Sequence, residues 1–186
     1  MTASTLLQRG VTVWEQKVVA AFDRSGEDIL VLERSALAGI ADAVASARVH
    51  GNKSVVTPAS AEARAAEALD ALRIECPALA EDIAALSRSF LAQFGVEEAS
   101  LRVEVVDKQS CPKFHCDNVR VRLVTTYHGP TTEYVRVYEP DLVRAAPLFA
   151  LVFLKGHQHP NHADAVHHRS PGVPTGGRRL CVILDV

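Results

Sequence analysis

The feature that most limits what this chain can fold into is a change of hydrophobic period near Ser100. Before it, apolar residues recur at three- and four-residue spacing: Leu37, Ile40, Ala41, Val44 and Ala47 mark one face of a helix over residues 36–48. Two further helices are expected over about residues 60–73 and 78–94, broken by Pro77 and stopped by Gly95. One short run differs. Residues 28–33 are apolar between charged ends and read as a buried strand, with Ser35 placed to cap the helix that follows. After Ser100 the period drops to two. Residues 101–106 alternate, 119–127 are β-branched and apolar, 132–138 alternate again, and 150–154 and 180–184 complete a set of short strands between turn-rich segments. That pattern describes an antiparallel sandwich or small barrel, and helices followed by strands make the class α+β. A chain of 186 residues is large enough for one buried core. The expectation is a single domain over residues 1–186, with 1–99 as mainly helical support and 100–186 as a β core.

Charge narrows the choice of partners. Residues 1–100 carry 9 basic and 14 acidic side chains, whereas residues 101–186 carry 11 and 8, so the β half is mildly basic. This suits a small anionic ligand but forms no Lys/Arg stripe, and aromatic content is only 5%. Nucleic acid is not expected as a partner. The first ten residues lack the basic start and apolar run of a signal peptide, and no later apolar run is long enough to span a bilayer. A cytoplasmic location without membrane contact is expected. Cys76, Cys111, Cys116 and Cys181 show no C-x-x-C pairing and read as free thiols.

Seven of the eight histidines fall between His115 and His168. His115-Cys116-Asp117 is an H-x-D motif, which on a strand points imidazole and carboxylate to the same side, where they can share a cation. The motif is short, and the chain supplies a second copy, His162-Ala163-Asp164. Context separates them. The first leads directly into a strongly β run, whereas the second lies among Pro, Asn and Ala. A third ligand for a facial triad should return from a distant strand, and His168, after Ala165-Val166-His167, is placed to supply it. The bland alternative is a His and an Asp that only hydrogen-bond inside a sandwich. The tract holding His157, His159, His162 and His167 reads equally as a soft zinc-binding segment or as a solvated loop. Cys111 and Cys116 flank His115, but alternation turns Cys116 to the opposite side from it.

His115-x-Asp117, the distal His168 and the tail HHRSPGVPTGGRRLCVILDV resemble, in order and spacing, the iron(II)- and 2-oxoglutarate-dependent oxygenases of the prolyl-hydroxylase-like branch. The resemblance implies a C-terminal double-stranded β-helix (a jelly-roll or cupin-like barrel). It also implies iron(II) on His115, Asp117 and His168, with 2-oxoglutarate as co-substrate and Arg178 on its far carboxylate. Two histidines and a carboxylate leave three coordination positions, and a guanidinium fork grips a carboxylate at two points. The Arg178 assignment fails if that side chain turns away from the two imidazoles. Arg179 takes the role if a bulge slips the strand by one. The segments CPKFHCDNVRVRLVTTYHGPTTEYV and HHRSP are also similar to the uncharacterised bacterial family catalogued as domain of unknown function family 1826. This second resemblance implies a metal and leaves its identity open. It adds Arg122, Tyr127 and Glu133 as residues that could line the pocket, their plain alternative being cross-strand packing. Two functions therefore stand side by side: an oxygenase acting on an unknown substrate, and a non-catalytic zinc-binding protein of zinc homeostasis on the same scaffold. Trp14 reads as core.

Overall fold

A computed structural model describes residues 13–186. Four helices, α1 (Gln16–Arg24), α2 (Ile40–Ala45), α3 (Ala61–Ala71) and α4 (Pro77–Phe94), accompany nine strands. The strands are β1 (Ile29–Leu32), β2 (His50–Val56), β3 (Ala99–Val106), β4 (Val121–His128), β5 (Glu133–Arg136), β6 (Glu139–Ala145), β7 (Leu151–Lys155), β8 (Val166–Arg169) and β9 (Arg179–Asp185). They form a six-stranded sheet in the order β1-β7-β4-β9-β3-β2 and a three-stranded sheet in the order β6-β5-β8. All neighbouring strands run antiparallel.

The larger sheet is covered on one face by the helices. Leu101, Val103 and Val105 of β3, Leu123 and Tyr127 of β4, Phe153 of β7 and Leu180, Val182 and Leu184 of β9 share a core with Leu79, Ile83, Leu86 and Phe90 of α4. Trp14 joins them, edge-on to Phe153 with ring centroids 5.1 Å apart. The alternate residues Val124, Val152, Leu154, Cys181 and Ile183 form a second apolar cluster on the opposite face. The central strands are thus apolar on both sides, so their sequence runs are continuous rather than alternating.

The expected helices over 60–73 and 78–94 coincide with α3 and α4, the latter opening on Pro77 and ending at Gly95 in the left-handed region at φ 61°. Three expectations need correction. The first hundred residues, expected to be mainly helical with one strand over 28–33, hold a further strand, β2, and β1 and β2 form the two edges of the larger sheet. β2 escaped the sequence reading because an edge strand is half-solvated; His50, Gly51, Lys53 and Val55 are exposed. The helix expected over 36–48 shrinks to α2, and Ser35 does not cap it; Gly39, at φ 77°, stands at that position. Before α2, the Arg34 side chain is pinned to Asp82 of α4 and to the Phe149 carbonyl.

Tyr127 also lies elsewhere than expected. It is buried on the helix face, where it donates to Asp82 and accepts from Arg34 Nη2 at 3.0 Å. Burial and the neighbouring Asp82 carboxylate raise its phenol well above the ordinary value, so it remains a donor. Because this trio is enclosed, Asp82→Ala leaves the Arg34 guanidinium without its carboxylate and is expected to cost about 3 kcal/mol. Tyr127→Phe should cost about 1–2 kcal/mol. Both losses should read as lower urea midpoints at unchanged slope, with metal binding unaltered.

Candidate metal centre

His115 and His168 are brought together by the backbone itself. They form an isolated antiparallel bridge in which each amide donates to the other's carbonyl, at 3.0 and 2.9 Å. Directly opposed residues of this kind place their side chains side by side, and the two rings stand 4.7 Å apart between centroids. Asp117 follows two residues after His115. Its Oδ1 lies 3.6 Å from His115 Nε2 and its Oδ2 2.9 Å from His168 Nε2. One ligand atom from each of the three lies within 4.8 Å of the other two.

The donor set suits a divalent cation. His115 Nδ1 is 2.9 Å from the Lys113 carbonyl; as donor to that oxygen it leaves the Nε2 lone pair facing Asp117. Asp117 Oδ2 is buried and lies 2.5 Å from Arg122 Nη1 and 2.9 Å from His168 Nε2. One carboxylate beside two imidazole nitrogens, their ligand atoms within 4.8 Å of one another, is a donor set that fits a divalent cation. Burial alone would raise the Asp117 carboxyl; the approach of His168 and the charge of Arg122 outweigh that and hold it at about 2. Burial lowers His168 below the ordinary imidazole value, against the pull of Asp117.

These residues line a cavity of about 280 Å³ between the two sheets. Of the arginines and the tyrosine expected at the cofactor site, Arg122 and Arg179 line this cavity and Arg178 and Tyr127 do not. Arg122 is already engaged, by Asp185 at 2.7 Å and by Asp117 at 2.5 Å. Arg178 faces the other way and donates to the carbonyls of Val44, Ala45 and Ala47, capping the end of α2. The expectation that Arg178 enters the cavity is therefore corrected: of the two neighbouring arginines, the one that enters it is Arg179. Alternation along β9 puts Arg179, Cys181, Ile183 and Asp185 on the cavity side, and Arg178 falls just outside the strand. Arg179 is 3% exposed and bonds only to neutral oxygens, those of Pro130, Thr126 and Thr132. Among the described residues no carboxylate pairs with it.

Gly129 holds this corner together. It sits at φ 81° with the Arg178 carbonyl oxygen 2.1 Å from where a Cβ would be, so β4 and the start of β9 approach as only glycine permits. Glu133 pairs with Arg169 at 2.6 Å. Arg102 and Glu104, which also line the cavity, were missed in the sequence; the alternation of β3 places both on one face, a signal that was present.

The histidine tract divides. His159 is buried, with Nε2 2.9 Å from Asp23 and Nδ1 accepting the Asn161 amide. His167 is 3.0 Å from Asp164. His157 and His162 lie beside Cys116. All four cysteines are free thiols, and no helix among the described residues is long and apolar enough to cross a membrane.

Two antiparallel sheets enclose a His/Asp/His cluster that could hold a metal ion, beside a buried arginine, in a chain of mixed helix and sheet content. The chain belongs to the family described as Protein of unknown function (DUF1826), whose model matches residues 8–185. Among curated proteins there is no match. Solved structures similar to it are 2OG-Fe(II) oxygenase family proteins. One is the dioxygenase for auxin oxidation 1 from Arabidopsis thaliana with 2-oxoglutarate, 12% identical over 73% of this chain, TM-score 0.45. This chain covers 62% of that protein, less than two thirds of its length. Another is a 2OG-Fe(II) oxygenase family oxidoreductase from Burkholderia pseudomallei, 12% identical over 93% of this chain and 91% of that one, TM-score 0.44. A prolyl-4-hydroxylase from Pseudomonas putida is 18% identical over 82% and 95%, TM-score 0.43.

Proposed function

We propose that this protein is an iron(II)- and 2-oxoglutarate-dependent oxygenase built on a double-stranded β-helix. The observation that carries the reading is Arg179: a buried guanidinium without a carboxylate partner, lining the same cavity as the His115, Asp117 and His168 triad. A buried cation held only by neutral oxygens favours an anion beside it, and a triad of two imidazoles and one carboxylate leaves coordination positions open for a ligand. A five-carbon keto diacid meets both demands at once, and a cavity of about 280 Å³ suits a ligand of that size better than a bulky one.

His115, Asp117 and His168 would hold the metal. Bound there with 2-oxoglutarate, iron(II) would supply the oxidation of a substrate C–H bond by dioxygen, coupled to conversion of the keto acid into succinate and carbon dioxide. The remaining work falls to the chain. Lys113, through its carbonyl, fixes the His115 ring. Arg122 balances the charge of Asp117 and Asp185 while leaving Asp117 Oδ1 toward His115. Val124 and Ile183 give the cavity an apolar wall that keeps water from the site. Arg179 receives the far carboxylate, and Thr126 and Thr132 hold its guanidinium in place.

The test is anaerobic reconstitution with iron(II) followed by titration of 2-oxoglutarate, watching for the visible charge-transfer band of an iron–keto-acid chelate. The expected result is a band that saturates at one keto acid per chain. Tight zinc binding at the triad without any band would instead establish the zinc-handling alternative.

A further inference from the structure

Within residues 115–117 the side chains divide: the first and third line the cavity and the second does not. His115 and Asp117 face the cavity, and Cys116 turns to the other side, against the loop that follows β7. There the ligand atoms of Cys116, His157 and His162 all lie within 4.8 Å of one another. Cys116 Sγ is 3.8 Å from His162 Nε2. Tetrahedral zinc, with bonds of about 2.3 Å to sulfur and 2.0–2.1 Å to nitrogen, sets such a pair about 3.6 Å apart. The His157 and His162 rings stand edge to face, centroids 5.1 Å apart.

Two independent features show that the cluster is built. First, the His162 side chain is only 10% exposed, and its Nδ1 is buried without an aligned partner, 3.4 Å from Asp28 Oδ1. Asp28, 1% exposed, already accepts the amides of Ala163 and Ala165 at 2.9 and 2.6 Å. A buried carboxylate behind one imidazole nitrogen, with the other nitrogen turned to a thiol, is the arrangement that orients metal-binding histidines. Second, the two segments cannot separate easily. A Cβ on Gly156 would meet the Val119 carbonyl oxygen at 2.2 Å, and the His157 amide donates to the Asp117 carbonyl at 2.9 Å. His159, spent on Asp23 and Asn161, is excluded as a ligand.

We propose that Cys116, His157 and His162 form a second metal site that takes zinc(II), set back to back with the first across the segment 115–117. One thiolate and two imidazoles select zinc over iron(II) or magnesium, and three protein ligands leave a fourth position for water. The zinc clamps the loop after β7 to the segment that carries His115 and Asp117. This site stands apart from the oxygenase reading, since none of its ligands belongs to the triad.

Cobalt(II) serves as the probe, because thiolate ligation gives a near-ultraviolet charge-transfer band that a His/Asp/His site does not. In full-length Asp117→Ala, where the triad is disabled, the expected result is one cobalt per chain with that band. Adding Cys116→Ser should abolish it. Cys111→Ser, whose thiol lies 3.6 Å from His115 Nδ1, should leave it unchanged. In the otherwise unmodified chain His157→Ala, at an exposed residue, should weaken cobalt binding in that band at least tenfold with the circular dichroism unaltered. Absence of the band from the folded protein, its survival in Cys116→Ser, or its loss in Cys111→Ser instead would overturn the proposal.

Discussion

Asp117→Ala should give a folded protein whose iron(II) affinity at the triad is reduced at least about 100-fold, a larger loss than outer-shell changes usually cause. The carboxylate is the one anionic ligand, and without it two neutral imidazoles must hold a divalent cation alone. Folding should survive, because Arg122 keeps its two bonds to Asp185 when Asp117 is removed. Anaerobic calorimetric titration reads the affinity, and Asp117→Asn separates charge from shape by retaining the oxygen without the anion. His159→Ala is the contrasting variant. It opens the bond to Asp23 and should lower stability by about 1–2 kcal/mol, with triad affinity unchanged. Unaltered iron(II) binding in Asp117→Ala would mean that the three residues only pack and hydrogen-bond.

The two neighbouring arginines should behave in opposite ways. Arg179→Lys, which keeps the charge but loses the fork, should weaken 2-oxoglutarate binding to the iron-loaded protein about tenfold, and Arg179→Met about 100-fold or more, as expected when a charge-assisted, two-point contact is lost. Arg178→Ala should leave that affinity unchanged and show only as a lower unfolding midpoint, because its partners are the carbonyls at the end of α2. Charge-transfer titrations of the three variants decide the matter, with the lysine variant guarding against simple misfolding at a buried position. If Arg178→Ala is the variant that loses the keto acid, the placement of the site between the sheets is wrong.

The particular residues explain how far the sequence could be read. The switch of period at Ser100, the helices α3 and α4, and the strand over β1 were legible because each has enough apolar residues at one spacing to declare itself. The triad was legible for a related reason. His115-x-Asp117 leads into a strongly β run, and His168 stands at a distance that only a returning strand can close. The choice between Arg178 and Arg179 was not legible. Leu180, Cys181, Val182, Ile183 and Leu184 are apolar on both faces, since β9 is central and covered on both sides, so the pattern carries no mark of which parity looks inward. Tyr127 was hidden by the same symmetry in β4, where buried residues on either face read alike.

What the sequence determined by itself was the kind of each element and the three residues that could share a cation, because these follow from local periodicity and from side-chain chemistry. Only the tertiary structure decided which arginine enters the cavity, that His159 is spent on α1, and that Cys116, His157 and His162 meet. Those outcomes depend on which face of a strand each sheet covers and where a loop comes to rest, and such contacts between distant residues leave no spacing in the chain to read.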